Sequence, residues 1–300
     1  MEEGKKMKKL CLVIACMLCL SLGGVLSTSA HAESEETVSD NVVKGTYDKG
    51  IKEGIINQEK VTYDSFLKMC REEVIPAYEQ YKEVDSNTTF LEYCEADNYE
   101  QPYISEEDNP TTVTAVDHTT TTPNNGSVEV RTAAKTGYKM KAGDILVCYG
   151  SNSSGRFVGH AAIATSSKYI LEMPGTKKYS KYENAHHPTK ESFFKAHTGK
   201  NQYVAVYRIK NHPHYADDAS TYAYKYMYKK SNPDYFISTR LYHKSPSYCS
   251  KYVYLSYYWG AKKSSVKYYK SHVHVVTPHG LVGNFKGSFK PSYIHKITKY

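Results

Sequence analysis

Acidic side chains are scarce in the second half of this 300-residue chain. Residues 136–300 hold 7 acidic against 26 basic groups, net +19, whereas residues 33–135 hold 22 against 9, net −13. Such a split implies two regions with different partners. No apolar run of spanning length follows the N-terminal one, so no later segment is expected to cross a bilayer. Cysteine is also scarce: of seven, Cys11, Cys16 and Cys19 lie in the first 32 residues. The other four, Cys70, Cys94, Cys148 and Cys249, are too scattered for a disulfide framework, and the sequence leaves open only a Cys70–Cys94 bridge. The basic half carries no nucleic-acid-binding motif, which argues against nucleic acid as its partner.

What is present begins with a targeting signal. Lys5, Lys6, Lys8 and Lys9 precede the apolar run "LCLVIACMLCLSLGGVL", and "STSAHAES" ends small-x-small at Ala30 and Ala32. This is the pattern of a cleavable secretory signal over residues 1–32, with no stable membrane insertion expected afterwards. "VIAC" loosely resembles a lipoprotein box, but the apolar stretch continues past Cys16. Cleavage after Ala32 leaves 268 residues, enough for one sizeable domain and an appendage. The protein is expected to be secreted and wall-associated, its basic half drawn to polyanions such as teichoic acids or anionic lipid headgroups. The oligomeric state is not legible.

Residues 33–100 read as an acidic, partly helical segment. Residues 33–60 are polar with little periodicity, whereas Tyr63, Leu67, Cys70, Val74, Tyr78 and Tyr81 recur at helical spacing, with Cys70 facing a core. Residues 101–136 are rich in Thr, Asn and Pro and read as a linker. The main domain spans 137–300. "GDILVCYG", "GHAAIA", "KYILEM" and "YVAVYRI" read as strands, "ADDASTYAYKYMYKK" as a helix with Asp217 or Asp218 near its N-cap, and residues 247–260 as a second helix. Strands packed on helices make an α+β domain. The 30 tyrosines supply buried ring area with a polar tip, or, interleaved with lysines, a sugar- or wall-binding face.

The helix at 247–260 carries the candidate chemistry. Ser245-Pro246-Ser247 reads as its start, with Pro suited to the first position. Cys249 then falls in the first turn, where unpaired amides and the helix dipole favour an anion and lower a thiol's pKa from about 8.5 toward roughly 3.5–7.5. A nucleophile needs a base, and His160 begins a strand among small neighbours. If that strand turns around Ser166, positions summing to 332 face each other, which sets His160 opposite Glu172. A carboxylate there can orient the ring, the third part of a triad. Each residue also has a plain structural reading: a small core cysteine, a core histidine, a strand-edge carboxylate.

"GDIL", "GHAAIA", "ILE", "YCSKYVY" and "TPHGL", in that order, resemble the circularly permuted papain-like enzymes of the NlpC-like superfamily, YycO/YiiX-like group. The resemblance covers roughly residues 137–285. It implies a half-barrel antiparallel sheet packed against the cysteine helix, with Cys249 as nucleophile, His160 as general base and Glu172 as orienting residue. The implied activity is that of a cysteine peptidase or amidase, with cell-wall peptide as the expected substrate. Two alternatives stand beside it: thiol acyl hydrolysis or transfer on lipid or ester substrates, and a non-catalytic wall-binding module. The acidic segment could also mask the cleft as a pro-segment.

His272 and His274, two apart on an expected strand, are a rival base or half a zinc site, and His212 and His214 form a second His-x-His. Neither pair has a third ligand at a motif spacing, so no metal and no cofactor are expected. Cys148 reads as a core residue. "SNSSG" at 151–155 reads as a flexible loop before His160, bordering a cleft or merely turning at the surface.

Overall fold

The computed structural model describes residues 38–113 and 138–300, except 154–156, 176, 179–180, 183 and 272–273. The expected signal at 1–32, most of the expected linker and His272 lie outside the described residues. Residues 38–300 form one compact unit. Within it, no described helix is long and apolar enough to cross a membrane.

The polar stretch before residue 60 holds a helix after all. Ser39 caps α1 (Asp40–Lys52), with Asp40 in its first turn and Lys49 and Lys52 in its last, charges placed to suit the dipole. Its buried stripe is Val43, Thr46, Tyr47 and Gly50. Only two of these are large and apolar, so the helical period is faint in the sequence. The expected helix over 63–81 forms as α2 (Tyr63–Met69), a π turn over Cys70–Val74, and α3 (Ile75–Tyr81). Pro76 accounts for the interruption: it has no N–H to donate, and its ring displaces the carbonyl four residues back. Cys70 is buried, as its spacing predicts. A capping box between Thr89 and Glu92 starts α4 (Phe90–Ala96).

The main sheet has six strands in the order β1-β8-β7-β2-β3-β4. They are β1 (Thr111–Val113), β2 (Ile145–Ser153), β3 (Val158–Ala164), β4 (Ile170–Glu172), β7 (Tyr203–Arg208) and β8 (Ser292–Ile297). A two-stranded ribbon, β5 (Lys177–Lys178) and β6 (Lys181–Tyr182), stands apart. The α+β class stands, but the sheet is open and mixed rather than the expected antiparallel half-barrel: β1 pairs with β8 in parallel. β1 itself lies inside the stretch expected to be linker. β2 continues through Ser153, so residues 151–153 of the expected "SNSSG" loop are strand, and 154–155 lie outside the described residues.

Three helices complete the unit: α5 (Lys190–His197), α6 (Pro213–Tyr222) continued by a π segment to Ser231, and α7 (Cys249–Leu255) continued by a π segment to Ala261. α6 starts four residues before the expected Asp217 cap, because Pro213 suits a first turn. On one face of the sheet Leu146, Cys148, Ala162 and Val206 pack with Phe193 and Phe194 of α5. The opposite cluster joins Ile145, Ala161 and Tyr207 to Tyr252 and Val253 of α7, and to Val43, Tyr81 and Tyr93 of the N-terminal helices.

Candidate functional site

β3 carries His160 as its third residue, fully buried. The turn after β3 runs through Ser166, whose hydroxyl accepts from the backbone N–H of Lys168 and Tyr169 at 3.1 Å each. Ala162 pairs with Glu172, Ile163 with Leu171 and Ala164 with Ile170. Paired numbers therefore sum to 334, not the expected 332, because the turn centres one residue later. A two-residue shift keeps every side chain on its face. His160 sits diagonal to Glu172 rather than opposite, and its Nε2 still donates to Glu172 Oε2 at 2.9 Å.

Cys249 is the first residue of α7, with Tyr248 at the N-cap and no side-chain cap. The expected Ser-Pro start is corrected: Pro246 precedes the helix, joined to Ser245 by a cis peptide bond. What holds the segment is Lys251, fully buried, which donates to the carbonyls of Arg240 and Pro246 at 2.8 Å each. Burial pulls the Lys251 ammonium down to about 8. Ser250 donates to Val276 O at 2.6 Å. These bonds fix the first turn of α7 beside β3, where the Cys249 thiol and the His160 ring share a side-chain hydrogen bond.

The electrostatics favour a charged ring. Burial opposes the His160 imidazolium, but hydrogen bonds to Cys249 and Glu172 outweigh it and hold its pKa well above the usual 6.5. Burial likewise opposes the Glu172 carboxylate, yet its bonds to His160 and His197 bring it down to about 2. Cys249 and His160 are each 1% exposed. The structure thus brings together the three residues singled out from the sequence, in a closed site.

His197, the last residue of α5, was not legible as part of this group. Its Nε2 donates to the same Glu172 Oε2 at 3.2 Å, and its ring stacks 5.0 Å from His160. It also bonds the Cys148 thiol, which with Glu172 outweighs burial and raises His197 to about 9. Its place at a helix end, where a cation suits the dipole, was the only local signal.

A second buried group stands behind β3. His279, in the "TPHGL" stretch, donates from Nε2 to Cys148 O at 3.1 Å, and its Nδ1 faces Glu100 at 2.7 Å and Asp97 at 3.1 Å. The charges of Asp97 and Glu100 outweigh burial and raise His279 well above its usual value. Burial and Asp97 push Glu100 up to about 8. Thr277 Oγ1 donates to Ala96 O at 2.7 Å, so this stretch fastens the end of α4 to the main domain. Gly159 makes room for it: at φ +79° its absent Cβ would lie 2.2 Å from His279 Nε2.

Among the described residues, two groups bring three donors within 4.8 Å and so have the donor types of a cation site: His160, Glu172 and His197, and Asp97, Glu100 and His279. The histidine pairs weighed from the sequence belong to neither. His274 lies outside any strand; burial and Lys267 lower it to about 4, and it stacks on Tyr269. His212 bonds Ser288 at 2.7 Å. Cys70 and Cys94 are free, buried thiols.

A family model described as lipoprotein N-acylation protein LnsA-like matches residues 112–297, and the chain belongs to that family. A Bacillus thuringiensis protein described as an uncharacterized 30.3 kDa protein is 29% identical over 301 residues, covering 96% of this chain and 99% of that one. No solved structure matches. The family match corrects the expected membership in the NlpC-like, YycO/YiiX-like superfamily, and with it the cysteine peptidase acting on wall peptides. It makes the chain an enzyme rather than a wall-binding module. The physical reason for the error is that a thiol, an imidazole and a carboxylate describe how an acyl carbon is attacked. They do not say which acyl carbon.

Proposed function

We propose that this protein is an acyltransferase that moves a fatty acyl group from a lipid ester to an amine through a thioester on Cys249. One observation carries the reading: the Cys249–His160–Glu172 relay of hydrogen bonds, in a family described by lipoprotein N-acylation. The Cys249 thiolate attacks the ester carbonyl, and the positive end of the α7 dipole favours the developing oxyanion. The ester C–O bond breaks, and the departing lipid alkoxide takes the proton of the His160 imidazolium. An amine then attacks the thioester, His160 takes the proton the amine sheds, and the thiolate leaves. The net change is one acyl group moved from oxygen to nitrogen. Glu172 holds the ring and offsets its charge.

The acceptor that fits the family description is the N-terminal amine of a lipoprotein. An exported location, expected from residues 1–32, puts donor and acceptor on the outer side of the cytoplasmic membrane. The test is to incubate the protein with phospholipid and a peptide bearing a diacylglyceryl-modified N-terminal cysteine. The reading expects an N-acylated peptide, formed by wild type and not by Cys249→Ala. Release of free fatty acid alone, with the amine untouched, would contradict it.

A further inference from the structure

The surface formed by α6, the π segment that continues it and the stretch from Trp259 to Lys270 is rich in basic and aromatic residues, whereas α7 itself is buried. Residues 213–270 hold ten basic side chains and three acidic, Asp217, Asp218 and Asp234. Of the ten, only Lys251 is buried. Large aromatic rings lie among them: Tyr226, Trp259 and Tyr268 are 47%, 37% and 52% exposed.

These rings fall into two short runs that meet at Gly260, with Tyr258 itself buried. Tyr226 stacks on Tyr222 at 5.1 Å. Tyr222 abuts Gly260, where an added Cβ would lie 2.3 Å from the Tyr222 Cβ. Trp259 meets Tyr258 edge-on at 4.7 Å. Tyr258 lies 4.8 Å from Tyr242, which stacks on Tyr268 at 5.4 Å. Lysines sit over the rings: Lys263 lies 4.8 Å from Trp259 and Lys244 lies 5.3 Å from Tyr222.

We infer that this aromatic and lysine surface docks the enzyme on an anionic phospholipid bilayer. The occupant follows from charge and from ring chemistry together. Tyrosine and tryptophan, apolar in body and polar at the tip, settle at the headgroup level of a membrane. Lysines are drawn to the surface of an anionic leaflet. A soluble polyanion would satisfy the lysines alone and leave the exposed rings in water. Cys249 begins the helical stretch that runs past Trp259 to Ala261, so docking there holds the domain that carries the thiol against its acyl donor. The proposal rests on the acyl-transfer reading for that last step and on nothing else in it.

Trp259 is the sole tryptophan of the chain, so its fluorescence reports this surface directly. The wild-type protein should show a blue shift of emission on phosphatidylglycerol vesicles, with quenching by lipids brominated in the upper acyl chain. Phosphatidylcholine vesicles should bind on the order of 10-fold more weakly or worse, and added salt should weaken the attraction. The double variant Lys262→Glu, Lys263→Glu changes two exposed residues outside the catalytic group. It should take acyl groups onto Cys249 on the order of 10-fold more slowly from vesicles and at the wild-type rate from detergent-dispersed lipid. An unshifted Trp259 spectrum on anionic vesicles overturns the docking surface, as does tight binding to purified teichoic acid with none to vesicles. A shifted Trp259 with no acyl group on Cys249 from either lipid form sinks the acyl-transfer reading and leaves the docking surface standing.

Discussion

His160 and His197 lean on one oxygen: both donate to Oε2 of Glu172, at 2.9 and 3.2 Å, with their rings stacked 5.0 Å apart. Each ring has its own thiol, Cys249 for His160 and Cys148 for His197. A single buried carboxylate therefore steadies two imidazoles, one of which we propose as the proton carrier. The other, we propose, acts through Glu172 as a positioning residue.

Glu172→Gln should lower acyl transfer by about 10²–10³-fold, the scale of losing an oriented acid–base group. The sign of the pH effect follows from the shifts. Glu172 raises His160, so removing its charge lets the ring lose its proton at lower pH. The alkaline limb of the rate profile should move toward acid, which a pH–rate series on both proteins reads out.

His197→Gln tests the His197–Glu172 pair through stability. His197 is raised to about 9 in the folded protein, above the ordinary 6.5. Its contribution is thus fully present below pH 6.5 and disappears as pH rises through about 9. Urea denaturation should show wild type more stable than His197→Gln at pH 6 and the gap narrowing by pH 9. Glu172 works in the opposite direction: held down to about 2, it contributes above its ordinary 4.5 and is lost as pH falls toward 2.

Gly159→Ala should destabilise the fold by about 2–4 kcal/mol, since it combines a left-handed backbone with a methyl group driven into His279 and Cys148 O. Thermal denaturation measures the first effect. Because Gly159 adjoins His160, activity should fall further than the loss of folded protein explains.

The grouping of Cys249, His160 and Glu172 is more legible in the sequence than the family is. The short apolar run "GHAAIA" and the alternation in "YVAVYRI" mark β3 and β7, whereas the helix start at Cys249 is read from a Ser-Pro start that the structure corrects. The register was misjudged by two because the turn centre depends on the Ser166 hydroxyl, a local bond that no alternation pattern reports. His197 was hidden because the contact joins a helix end to a strand 25 residues away. The Asp97–Glu100–His279 group was hidden more deeply. It needs Asn98, Tyr99 and Glu100 all at positive φ, which no residue preference predicts.

The most direct test of the account is the mass of the intact protein after incubation with phospholipid, followed by mapping of the modified peptide. The account predicts one fatty acyl group, removable by hydroxylamine, on Cys249, retained in Cys148→Ala and lost in Cys249→Ala. An acyl group on Cys148, or an unmodified Cys249 beside lipid that wild type has deacylated, would contradict it.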